Sequence, residues 1–171
     1  MEEMIREKTE DREISATARQ YGGVWRILIG LIAVGYVLFH LYTGYAGPFP
    51  NLQQRAVHVG FALILTFLIL PPFVRKQGGR RESIFLAFDL AAVAMTIWCC
   101  VYIIVKYDWI MDHPAESTPF QLVLGTIAIL LTLEASRRTI GFLFPILTFL
   151  FLLYAYLGPY IPDIPLIGNA L

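Results

Sequence analysis

The sequence predicts an all-α integral membrane protein with about five transmembrane helices, on composition, hydrophobic run length and charge placement. Hydrophobic residues make up 57% of the chain and charged residues 15%, and mean hydropathy is +0.64. Soluble domains carry about 25% charged residues. So apolar a chain has too few polar groups to cover itself in water, and part of its surface must face lipid. The apolar residues are gathered into runs near the roughly 20 needed to cross the hydrocarbon core. Of the 13 Lys and Arg residues, all but Arg55 and Lys106 fall into three segments that share one side of a five-span layout.

Residues 1–24 form a charged leader. Glu2, Glu3, Glu7, Glu10, Asp11 and Glu13 lie where a cleavable signal would have its apolar core, so the first span is expected to act as its own uncleaved signal. That span covers about 25–46, with Trp25 and Arg26 as an interfacial anchor at its start. Gly47-Pro48-Phe49-Pro50-Asn51 breaks the helix and forces a turn. The second span is placed at 55–74, the third at 83–105, the fourth at 120–138 and the fifth at 140–157. A polar stretch, 106–119, separates the third and fourth. Gly158-Pro159, Pro162 and Pro165 exclude a regular helix from the tail at 158–171.

The leader carries Arg6, Lys8, Arg12, Arg19 and Arg26. Arg75, Lys76, Arg80 and Arg81 follow the second span, and Arg137 and Arg138 follow the fourth. The positive-inside rule makes that face cytoplasmic, with the N-terminus inside and the C-terminus outside. A four-span layout would sink Arg137 and Arg138 into the bilayer, which is costly.

Asp89 is the most informative residue, because a carboxylate inside a span costs several kcal/mol unless paired or neutralised. At helical spacing it shares a small, faintly polar stripe with Ala92, Thr96 and Cys99, opposite an oily face of Leu90, Ile97, Val101 and Ile104. The stripe is expected to pack against protein. Two readings stand: an ion or proton site, or a buried pair with Arg137 or Arg138. Glu134, Arg137 and Arg138 occur at i, i+3 and i+4 and share one helix face. They are candidates for a subunit contact, or for a local salt bridge at a positive anchor. Pro145 is a candidate helix kink, since proline removes a helical hydrogen bond. His40 and His58, at similar depth on neighbouring spans, could ligate a haem or act as interfacial hydrogen-bonding groups. The adjacent Cys99 and Cys100 suit packing rather than a staple. No phosphate loop, nucleophile elbow or zinc-ligand pair is present in the sequence, so neither an enzyme nor a nucleic-acid partner is expected.

Several stretches resemble a known family: FHLYTGYAGPFPNLQQRAVHVGFALILTFL (39–68), YDWI (107–110) and LEASRRTIGFLFPILTFLFLLYAYLGPYIP (133–162). They are similar to the N-terminal part of the fused membrane component of tripartite ATP-independent periplasmic (TRAP) transporters, of the TAXI type. The most distinctive parts are Gln54-Arg55-Ala56-Val57-His58 and Glu134-Ala135-Ser136-Arg137-Arg138 with Gly141 downstream. The resemblance implies a small scaffold subunit in the bacterial inner membrane. It would support a separate large transmembrane subunit that moves substrate by an elevator-like motion. A periplasmic TAXI-type binding protein would deliver the substrate, and an ion gradient, commonly sodium, would drive uptake through the partner. Fused members continue far beyond the length of this chain, so the substrate and sodium sites are expected on the large subunit, with no cofactor here beyond contact with membrane lipids. The rival expectation is a membrane anchor of a respiratory enzyme, with His40 and His58 holding haem.

Overall fold

The computed structural model describes Arg19 and residues 21–72, 80–114 and 116–157, with residues 80–83 described by backbone alone. The described chain is helical and contains no strand. Its helices are α1 Gly23–Ala46, α2 Asn51–Ile69, α3 Arg80–Val105, the short α4 Tyr107–Asp112, α5 Pro119–Ile140 and α6 Leu143–Leu157. Four of them, α1, α2, α3 and α5, are long and apolar enough to cross a membrane. This is a multi-pass membrane protein.

Local chemistry sets the boundaries. α1 stops at Gly47, whose φ of 99° lies where side chains are disfavoured. α2 starts directly after Pro50, four residues earlier than hydropathy suggests, and ends at Ile69 instead of reaching position 74. Pro71 and Pro72 explain the early stop, because neither has an N–H for a carbonyl one turn back. α5 opens with a capping box: Thr118 N donates to Gln121 Oε1 at 2.8 Å, and Gln121 N donates to Thr118 Oγ1 at 3.3 Å. It closes at Gly141, with φ 89°. The stretch expected as a polar loop after α3 contains α4.

The expected fifth span is α6, whose 15 residues rise about 22 Å against a core of about 30 Å. Pro145 does not kink it. The break falls at Gly141–Phe142, and Pro145 occupies the first turn of the new helix, where a missing N–H costs nothing. Most of the leader (1–18 and 20) and the tail at 158–171 lie outside the described residues.

α2 and α3 form the central pair, α5 packs across both, α1 lies against α2, and α6 leaves from the end of α5. Contacts at both ends fix antiparallel neighbours: Arg19 meets Ile69 at one end, while His40 meets His58 and Gln53 meets Ile104 at the other. Small residues allow the approach. Ala56, Cys99 and Ala135 are buried, and Thr96 is only 1% exposed. The core is Leu63, Phe67 and Ala135, flanked by Ala92, Val93 and Leu131. The expected stripe on α3 does face protein, while Leu90, Ile97, Val101 and Ile104 face outward. Thr66, Thr96, Thr126, Thr132 and Thr139 each donate to the carbonyl four residues earlier. Their hydroxyls are thereby satisfied within their own helices.

The tightest point is Gly60, where an added Cβ would lie 2.6 Å from Cys100 Sγ. Gly60→Ala should therefore separate α2 from α3 and destabilise the protein by about 1–3 kcal/mol. Thermal unfolding in detergent measures the loss. Adding Cys100→Ala should recover most of it; no recovery would mean that backbone contact, not sulfur, sets the spacing.

Candidate functional site

The proline-terminated end of α2 creates a local problem that the charged residues solve. Carbonyls at and beyond the last turn have no helical donor, and they carry the negative end of the helix dipole. Three arginines supply the donors. Arg19 N donates to Ile69 O at 2.9 Å, Arg138 Nη1 to Leu70 O at 3.0 Å and Arg137 Nη2 to Pro72 O at 3.1 Å.

Asp89 projects from α3 into the same place and is fully buried. Arg19 Nη2 donates to Asp89 Oδ2 at 2.8 Å. Arg138 Nη1 stands 2.8 Å from Asp89 Oδ1 as an ion pair, but without hydrogen-bond geometry. The two arginine side chains are 8% and 6% exposed, so the Coulombic attraction is little screened. Arg19 also donates through Nη1 to Tyr21 Oη at 3.0 Å. Burial weighs against its charge, but the hydrogen bonds to Tyr21 and Asp89 outweigh that and raise its pKa above the ordinary arginine value.

Glu134 extends the cluster outward. Arg137 grips it with both arms of its guanidinium, Nε to Oε2 and Nη2 to Oε1, each at 2.8 Å. Such forked pairs are the stronger kind. Arg138 Nε donates to Glu134 Oε1, also at 2.8 Å. The Arg138 guanidinium lies 4.9 Å from the centre of the Phe67 ring, close enough for cation–π attraction. Three guanidinium groups thus meet two carboxylates, and the surplus positive charge faces the α2 carbonyls.

The structure thus brings Asp89, Glu134, Arg137 and Arg138 into one cluster and adds Arg19, in sequence one of the leader's cations. Its one sequence signal is its place just before the first span, at the same membrane boundary as the other arginines. Arg138, not Arg137, reaches Asp89. With an arginine against each oxygen, Asp89 is surrounded by cations, a poor setting for another cation.

At the opposite end of the bundle, His58 Nδ1 lies 2.9 Å from Tyr36 Oη and 3.0 Å from His40 Nε2. The imidazole rings stand 5.0 Å apart at 77°, within an aromatic group that includes Phe39 and Phe61. On a haem, two axial nitrogens stand on opposite faces of the macrocycle. Here they face each other within hydrogen-bond distance and leave no space for that plate, so the pair does not fit the group. Among the described residues, no cluster of three or more His, Cys, Asp or Glu could hold a metal ion.

Asp89→Asn should leave Arg19 and Arg138 buried without their counter-charge and cost about 3–5 kcal/mol. The expected readout is a sharp fall in folded yield and in thermal stability in detergent. Unchanged stability would show that the cluster does not hold the helices together.

No family model matches the chain, and no curated protein or solved structure matches it either.

Proposed function

We propose that this chain is the small scaffold subunit of a TRAP-type, ion-gradient-driven solute uptake transporter. Its partners are then a large elevator-type transmembrane subunit and a periplasmic TAXI-type binding protein, in the bacterial inner membrane. The observation that carries the reading is the closure of the buried charge cluster on itself. Asp89 and Glu134 are both engaged by arginines. A transport site needs unpaired backbone dipoles and polar groups converging at mid-membrane, commonly from two broken helices. The described spans supply instead a pinned bundle with helical hydroxyls satisfied internally. That suits a fixed frame beside which another subunit moves.

The resemblance at 39–68 and 133–162 gives the frame its partners. The arginine-rich end, with Arg19, Arg137 and Arg138 together, is the cytoplasmic end under the positive-inside rule. The sodium gradient is then used by the large subunit.

Reconstitution tests the role. The chain alone in liposomes should take up no solute, whereas the chain together with a TRAP-type large membrane subunit and a TAXI-type binding protein should support sodium-dependent uptake. Uptake by the chain alone would overturn the scaffold role. Orientation has its own test, in a Cys99→Ala, Cys100→Ala background with Gln77→Cys. The new thiol should react with an impermeant maleimide only in opened cells. Labelling of intact cells would reverse the topology.

A further inference from the structure

A cavity of about 430 Å³ lies between α3, α4 and α5, at the end of the bundle away from the arginines. Its inner wall includes Cys99 of α3 and Leu124, Gly125 and Ala128 of α5, with the polar Ser117 and Gln121 also on its lining. At its inner wall Cys99 Sγ lies 3.9 Å from Leu124 O. Beside that point Gly125 faces open space: a Cβ added there would meet nothing within 4 Å. Counting down α5 from Pro119, Ala128 lies about 13 Å along the helix axis, at the depth of hydrocarbon. The mouth is different in kind. It carries Trp109, His113 and Glu116, with the Trp109 and His113 rings stacked at 4.8 Å. Among the described residues, no cation pairs with Glu116 within salt-bridge distance.

The physics of such a slot limits what fills it. Water gains few hydrogen bonds against the apolar part of the wall. An empty slot forfeits the dispersion contacts of every atom lining it. The volume of about 430 Å³ is large enough to admit a single hydrocarbon chain. The matter beside the slot at that depth is lipid tail. At the mouth, a carboxylate and an indole select for positive charge, by Coulomb attraction and by cation–π contact.

We propose that this slot is a binding site for one acyl chain of a phospholipid whose ammonium headgroup seats against Glu116 and Trp109. The site rests on the chain's being a membrane protein and not on the transporter reading, so either can fail without the other.

Quenching by brominated lipid tests it directly. In a Trp25→Phe, Trp98→Phe background, Trp109 is the remaining tryptophan. The full chain by itself is held in a non-ionic detergent. Phosphatidylethanolamine or phosphatidylglycerol with brominated chains is then titrated in. Quenching of Trp109 should saturate with phosphatidylethanolamine and be about threefold weaker in affinity with phosphatidylglycerol, the size of one exposed ion pair to Glu116. Gly125→Leu, which fills the slot, should abolish the saturable component, and Ala128→Leu serves if the first variant does not fold. Glu116→Gln should remove the preference between the two lipids while leaving saturation in place.

Quenching that rises without saturation, identically in Gly125→Leu, would mean only loosely surrounding lipid and would overturn the site. Equal or tighter binding of phosphatidylglycerol would overturn the headgroup assignment.

Discussion

A fully buried carboxylate in a membrane span is the constraint around which the rest of this molecule is arranged. Asp89 would be untenable among lipid tails as an isolated charge. It is tolerated because Arg19 and Arg138 converge on it from different parts of the chain. Each arginine in turn is held by a second obligation, to a backbone carbonyl at the end of α2. The proline pair that stops α2 and the acid buried in α3 are thus served by the same two residues, Arg138 through one guanidinium nitrogen and Arg19 through its backbone N–H and its side chain. Exchange of partners within the cluster would expose either a carbonyl or a carboxylate, and this makes the arrangement specific rather than merely attractive.

Away from that end, cohesion comes from close approach rather than from charge. Lipid tails are as apolar as leucine, so burying leucine between helices gains little. The α2–α3 contact relies on Gly60 against Cys100 and on Ala56, whose carbonyl accepts from Cys100 Sγ at 3.3 Å. Large apolar residues such as Leu31, Val101 and Ile129 are left facing outward, which in a membrane is the ordinary state of a surface. The two polar ends then divide the work: one clamps four segments together, and the other presents aromatic and histidine side chains around a cavity. In the proposed scaffold role such a frame would stand fixed beside a moving partner, and the proposed lipid slot would tie it to the surrounding bilayer.

Membrane class, the approximate positions of the spans, the turn at Gly47–Pro50 and the gathering of arginines at one boundary were all legible in the amino-acid order. So was the protein-facing stripe of Asp89, Ala92, Thr96 and Cys99. These features depend on run length, helical spacing and backbone-breaking residues, all of which act along a few turns of chain. Even there hydropathy misplaced α2: it started the helix four residues late and carried it through Pro71 and Pro72, although proline's missing N–H outranks side-chain polarity at a helix terminus.

Tertiary structure alone decided the partners. Arg138 rather than Arg137 reaches Asp89, because the rotation of α5 against α3 turns that side chain inward while Arg137 lies over Glu134 and Pro72. Arg19 enters only because the chain before α1 crosses the end of α2, a contact 50 residues away in sequence between Arg19 and Ile69. His40 and His58 touch instead of standing apart, because α1 and α2 meet there closely. Helix spacing and rotation follow from which small residues face one another across the bundle, and a pattern read along one helix cannot supply that.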